Sequence, residues 1–246
     1  AQRLQVLRRG LARMPVDDQS RRVHHSPRRV HQAAGDEREG VQVDLVDDRL
    51  VAPEEIDGHV DVLLGLRREP GDDLERAQAQ KKHHIARKLR IEPDMRVLDI
   101  GCGWGGFAIY AARHFGCRVT AATISRRQHE LASQRVREAG LQEQVTVLTE
   151  DYRHLRGVYD KLVSIEMIEA VRDKYFDTYF RACCDLLKPD GIMLLQAITI
   201  ADQSYEAYRR SVDFIQRYVF PGGLLPSVEA ICRSVARASD FRLFHL

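Results

Sequence analysis

The run Met95-Arg96-Val97-Leu98-Asp99-Ile100 passes directly into Gly101-Cys102-Gly103-Trp104-Gly105-Gly106, and no other stretch limits the fold so sharply. A short apolar strand ending in closely spaced glycines lets the backbone turn tightly and approach a ligand before a helix starts. A helical pattern does follow, from about Phe107 to Phe115, with Gly116 as its stop. Arg118–Thr123 reads as a second strand, and a helix opened by Ser125 runs to Gly140. Val145–Leu148 and Lys161–Ile165 are the next two strands. A helix through Tyr175–Phe180 ends before Lys188-Pro189-Asp190-Gly191, and Ile192–Ile200 is the fifth strand. Strands alternating with helices of this length predict right-handed βαβ units and a parallel sheet covered on both faces. The expected architecture is a doubly wound, Rossmann-like α/β domain.

Ahead of that pattern the text is different. The 8 Phe, 8 Tyr and single Trp all lie beyond position 72, and residues 1–72 contain no Lys but 12 Arg and 14 Asp or Glu. Stretches such as Arg21-Arg22-Val23-His24-His25-Ser26-Pro27-Arg28-Arg29 follow neither a helical nor a strand period. Without aromatic residues such a segment builds a poor core. A basic arm touching phosphate is one reading. A segment of low order, translated out of frame and joined to a chain that begins with Ala, suits the composition better. From Asp73 onward, Leu74, Ala77, Gln78, Lys81, Ile85 and Leu89 recur at helical spacing and predict an amphipathic helix.

The charge balance, net +2, gives no case for a nucleic-acid-binding polycation. Apolar runs stay short of the roughly 18–20 residues of a membrane span. Cys102, Cys117, Cys183, Cys184 and Cys232 form no C-x-x-C pair, which suits a reducing cytosol rather than a disulfide framework or zinc site. Cys183-Cys184 reads as buried packing.

Chemistry enters at the glycine loop. Asp99-x-Gly101-x-Gly103 places an acid where a dinucleotide-binding loop would meet pyrophosphate; the acid repels phosphate and attracts an ammonium. That favours S-adenosylmethionine, whose methionine part carries an ammonium beside a sulfonium. At the end of the second strand, the acid that usually binds ribose hydroxyls is replaced by Thr123-Ile124-Ser125-Arg126-Arg127-Gln128. Ser125 and Gln128 fit a capping box for the next helix; a cofactor contact is equally open for Gln128.

Several motifs together carry a family resemblance. Val97–Gly106, Thr123–Gln128, Asp151-Tyr152-Arg153, Val163-Ser164-Ile165-Glu166-Met167-Ile168-Glu169-Ala170-Val171, Gln196-Ala197-Ile198-Thr199 and Asp213–Ser227 occur in that order. The stretch from about Asp73 to Leu246 resembles the cyclopropane-fatty-acyl-phospholipid synthases and mycolic acid cyclopropane synthases. The resemblance implies methylene transfer from S-adenosylmethionine to a cis double bond of an unsaturated phospholipid acyl chain at the membrane surface. The protein would then be cytosolic and peripheral to the inner face of the membrane, with no nucleic-acid partner; a homodimer stays open. It implies a bound bicarbonate as base, held by Glu169, by Gln196 (where much of the family has His) and by the Ile198 backbone. For the cofactor it points to Asp99, Gly101, Gly103, Trp104, Thr123, Ile124, Gln128, Tyr152 and Ile165. Read without the resemblance, Glu169 is equally a solvated residue starting a helix, and Tyr152 and Ile165 are ordinary core. The Tyr205–Tyr218 stretch reads as one amphipathic helix, with Arg209, Arg210 and Arg217 toward lipid phosphates. A methyl-branched product, made with a flavin-dependent reductase partner, shares the first step. A fragment that binds cofactor without turnover is a further alternative.

Two departures stand out. Val60-Asp61-Val62-Leu63-Leu64-Gly65-Leu66 lies where the family carries a Tyr-Ser pair and an active-site Cys. The chain stops at Phe241–Leu246, which looks like the sixth strand of such a sheet. The last strand and a late Tyr are therefore expected to be missing, leaving the sixth strand without an antiparallel neighbour.

Overall fold

The computed structural model describes residues 2–9, 73–212 and 214–245. In chain order the elements are β1 (Gln2–Arg9), α1 (Leu74–Lys88), β2 (Arg96–Ile100), α2 (Gly106–Phe115), β3 (Arg118–Thr123), α3 (Arg126–Glu138) and β4 (Val145–Thr149). They continue with β5 (Tyr159–Ile165), α4 (Phe176–Asp185), β6 (Leu187–Ile198), α5 (Asp202–Tyr208), α6 (Val228–Ala238) and β7 (Phe241–His245). Seven strands form one sheet in the order β4-β3-β2-β5-β6-β1-β7, and the first five are mutually parallel.

Strand alternation explains the two covered faces. Leu98 and Ile100 of β2, Leu162 of β5, and Met193 and Leu195 of β6 join Tyr179, Phe180 and Ile231 from α4 and α6 in one cluster. Their neighbours Val97, Val163, Ile192 and Leu194 point the other way, onto Ile85 of α1, Leu89, and Phe107 and Ala111 of α2. Each large side chain fully buried in this way contributes about 1.5–3 kcal/mol, so neither face can be stripped without losing the sheet. Helix ends follow local chemistry: Asp73, Ser125 and Ser227 cap α1, α3 and α6 through their side-chain oxygens, and left-handed Gly116 closes α2.

Three expectations need correction. The place between β6 and β7 is filled: β1 runs antiparallel to both, pairing Gln2 with Ile198 and Arg8 with Ile192 on one side, and Arg9 with Phe241 on the other. Gln2–Arg9 of the N-terminal segment forms this strand; the remainder of the segment, including Val60–Leu66, lies outside the described residues. Paired backbone groups are the physical reason, because an eight-residue run without Pro or Gly can satisfy both facing ladders. Second, β6 starts earlier than Ile192: Tyr159 pairs with Leu187 and Lys161 with Ile192, so Lys188–Gly191 is a bulge inside the strand. Third, Tyr205–Tyr218 is not one helix. α5 ends at Tyr208, where the Ser211 hydroxyl donates to the Tyr208 carbonyl, and a π-helical turn covers Ile215–Val219.

Candidate active site

All five parallel strands deliver their carboxyl ends to one edge, and β2 and β5 flank the point where strand order reverses. The glycine loop leaves β2 there, with the Gly101 and Cys102 N–H groups both donating to the Ala122 carbonyl of β3. Gly101 has φ +79°, and a Cβ on it would overlap Met167 Cγ and lie 2.8 Å from Met167 Cβ. Gly103 has φ +54° but meets no protein atom within 4 Å, so its open side is left for a ligand. Asp99 is 1% exposed, and its Oδ2 has no hydrogen-bond partner among the described residues. Burial pushes its carboxyl from 3.8 up to about 7. Burial and then the Asp99 charge push the neighbouring Cys102 thiol up as well. Trp104 stays half-buried, its carbonyl accepting from Arg135 Nη1 at 3.4 Å.

At the end of β3 the Ser125 reading as a cap holds, since its Oγ accepts from the Gln128 N–H at 3.3 Å. The other half of the expected capping box does not form: Gln128 Oε1 accepts the Thr123 hydroxyl at 2.7 Å instead. That bond fixes both side chains at the strand end. Ile124 is 77% exposed there, an apolar side chain left open among the described residues. Beyond β4, Tyr152 packs edge-on against Tyr179 with ring centroids 5.4 Å apart, and Asp151 is locked by Arg153. Ile165, at the end of β5, packs against the cluster containing Val163 and Leu194.

The second half of the site follows β5. Glu169 sits on a short 3-10 turn, Ile168–Ala170, and reaches across to the end of β6, where its Oε1 accepts the Ile198 N–H at 2.7 Å. Its other oxygen is buried with no partner among the described residues. Burial first, and then the nearby Glu166 charge, raise it from 4.5 to about 7 against the opposing pull of the Ile198 N–H and Lys81. Gln196, 3% exposed, donates from Nε2 to Glu166 Oε1 at 2.8 Å. Lys81 of α1 reaches the same oxygen at 3.1 Å, with both side chains nearly buried at 8% and 10% exposure. Thus Glu169, Gln196 and Ile198 lie near the end of β6, beside two residues that the sequence did not single out. Lys81 was visible as a charge on the apolar stripe of α1. Glu166 was visible as the first residue after β5, where it holds φ +50°. Their meeting across 85 positions was not.

The two halves touch, because Met167, between Glu166 and Glu169, is the residue packed on Gly101. Among the described residues no group of three or more His, Cys, Asp or Glu side chains is arranged to hold a metal ion.

The mycolic acid cyclopropane synthetase family matches residues 67–246. The cyclopropane-fatty-acyl-phospholipid synthase of Escherichia coli (strain K12) is 45% identical over 164 residues, covering 66% of this chain and 41% of that protein. A tuberculostearic acid methyltransferase of Mycobacterium tuberculosis is 39% identical over 171 residues, covering 70% and 40%. The chain thus spans about two fifths of the length of these curated relatives. Among solved structures, a mycolic acid cyclopropane synthase complexed with SAH and CTAB superposes with TM-score 0.63 at 29% identity, over 68% of this chain and 62% of that one. A geranyl diphosphate methyltransferase in complex with SAM shares the fold at TM-score 0.60 and 21% identity, over 70% and 72%. With its sheet order, glycine loop and paired half-sites on one strand edge, the chain belongs to the mycolic acid cyclopropane synthetase family.

Proposed function

We propose that this chain carries the catalytic domain, residues 73–246, of an enzyme that cyclopropanates a cis-unsaturated phospholipid acyl chain using S-adenosylmethionine. The observation that supports this most is the contact between the two half-sites, an unpaired buried acid beside an open glycine turn on one side and Glu169 with Gln196 on the other. S-adenosylmethionine fits the first half. Its ammonium suits the partnerless Asp99 carboxyl, its amino-acid part suits the vacant face of Gly103 beside Gly101 and Trp104, and exposed Ile124 offers an apolar contact flanked by Thr123 and Gln128. Tyr152 and Ile165 line the same strand edge as walls. When bound, it supplies an electrophilic methyl, to which the alkene π pair bonds as the S–C bond breaks. Glu169, Gln196 and the Ile198 backbone lie past the Met167 contact, and there the new cation would lose a proton.

A bound bicarbonate does not fit these residues. One of the two N–H groups on Gln196 Nε2, the donor assigned to it by resemblance, serves Glu166 Oε1, and an added anion would face both Glu166 and Glu169.

The acyl substrate would approach from the lipid surface. Val212, Phe214, Tyr218 and Phe220 are all strongly exposed in one segment, beside a cleft lined by Arg172, Lys174, Arg209 and Arg210. Apolar wedges next to basic side chains suit an anionic phospholipid interface. Among the described residues no helix is long and apolar enough to cross a membrane.

Mass spectrometry of host phospholipids after expression of the chain tests the reading. A gain of about 14 mass units per unsaturated acyl chain, with the double bond lost, is expected. A saturated methyl branch about 16 units heavier would move the product to the reductase-dependent route, and unchanged lipids would remove the function. Binding belongs to the same test: S-adenosylhomocysteine should bind at about micromolar affinity, and Gly103→Val should weaken that at least tenfold. Equal affinity would displace the cofactor from this loop.

A further inference from the structure

Gln196 and Lys81 both donate to Glu166 Oε1, at 2.8 and 3.1 Å, so the anion they hold is a side chain of this protein. Glu166 pays a conformational cost to be there, because φ +50° is a region where a side-chain-bearing residue is uncommon and glycine is at ease. Its N–H donates to the Gln196 carbonyl at 2.9 Å, which pins the turn to the end of β6. The next residue is Met167, packed on the glycine loop, so the Glu166 turn lies between the cofactor half-site and Gln196. A strained acid, nearly buried and ion-paired, thus faces the same donor that resemblance gives to bicarbonate.

We propose that Glu166 is the base of this active site, a built-in carboxylate that makes bicarbonate unnecessary. The inference rests on the reading of the chain as an acyl-chain cyclopropanating enzyme. In the step concerned, a C–H bond of the newly added methyl breaks. Its electron pair closes the ring onto the cationic carbon, and the proton passes to a Glu166 carboxylate oxygen. Charge balances without any oxidant or reductant. Lys81 and Gln196 act as positioning residues that fix the carboxylate. Glu169 is held instead at the end of β6, where its Oε1 accepts the Ile198 N–H.

The test uses the full chain with vesicles of a cis-unsaturated phosphatidylglycerol and S-adenosylmethionine. Turnover is measured in buffer stripped of carbon dioxide and again with millimolar bicarbonate. Wild-type turnover should be indifferent to bicarbonate. Glu166→Gln should fall about 10²–10⁴-fold and stay there. Glu166→Gly, which leaves a gap between Lys81 and Gln196, should fall equally and recover when bicarbonate is added. A second readout needs no turnover: ¹³C-bicarbonate resonances should broaden with Glu166→Gly and remain sharp with the wild type. Calorimetric binding of S-adenosylhomocysteine verifies that each variant is folded; should the glycine variant fail there, Glu166→Gln and the wild-type bicarbonate response decide. A wild type that needs or binds bicarbonate, or a Glu166→Gln variant of undiminished rate, overturns the proposal. A folded wild type that binds cofactor but alters no lipid overturns the acyl-chain reading instead, while the bicarbonate resonance still reports whether the anion site is already filled.

Discussion

Asp99 and Glu169 are both buried carboxyls raised to about 7, the first by burial and the second by burial and then the Glu166 charge. A raised acid binds its proton more tightly folded than unfolded, so its favourable contribution is complete below the ordinary value near 4 and is lost as pH climbs through 7. The cofactor-free protein should therefore be less stable to urea at pH 8 than at pH 5, by an upper figure of ~3 kcal/mol for each group. Asp99→Asn should flatten part of that slope; an unchanged slope would mean that Asp99 is ionised in the folded state. An ammonium arriving beside Asp99 reverses the shift, so cofactor binding at pH 6–7 should release protons. Calorimetry in two buffers of different ionisation heat would reveal this. Asp99 and the glycines were readable because a strand-end loop is contiguous in sequence and each residue has one steric or charge role. Glu166 and Lys81 were not, because an ion pair between α1 and the turn after β5 exists only once the sheet has formed. A Lys on an apolar stripe looks, before that, like a stem lying over a helix face.

At the level of elements, the turn after β5 and the loop after β2 are one packed unit. Gly101→Ala should cost about 2–3 kcal/mol, since its methyl meets Met167 and its φ is left-handed. Met167→Ala in the same chain should return part of that loss, and thermal melts of the two single variants and the double measure it. Simple additivity would mean that the loops do not touch. α1 is likewise more than a cover for α2. Lys81→Met should destabilise by about 3 kcal/mol by leaving Glu166 buried without its ammonium, whereas joining it to Glu166→Gln should cost less than Lys81→Met alone. The segment after α5 was misread because its aromatic spacing continues as a helix would, while the Ser211 hydroxyl intercepts the Tyr208 carbonyl and ends it. What the break exposes is testable: Phe214→Ser with Phe220→Ser should reduce vesicle binding at least tenfold and leave the melting temperature unchanged. A fall in both would assign these rings to packing.

Across the molecule, the five parallel strands were legible since each is a short apolar run bounded by turn residues, the mark of strands buried on both faces. The seventh position in the sheet was not. Gln2–Arg9 offers little apolar patterning, and its place is set by backbone groups on β6 and β7 that no local window contains. That strand has a kinetic consequence. Gln2 pairs with Ile198, a closure over 196 positions whose entropy must be met before any ladder bond rewards it. During synthesis at about 5–20 residues per second, β1 emerges first, yet it waits on the order of ten to fifty seconds for β6 and β7 to leave the ribosome. The parallel core can assemble meanwhile, so docking of β1 should be a late event. Pulse-labelled hydrogen exchange during refolding should protect β2, β3 and β5 amides before those of β1 and β7, and removal of residues 1–9 should abolish only the slower phase. Simultaneous protection throughout would make the first-made strand part of the folding nucleus.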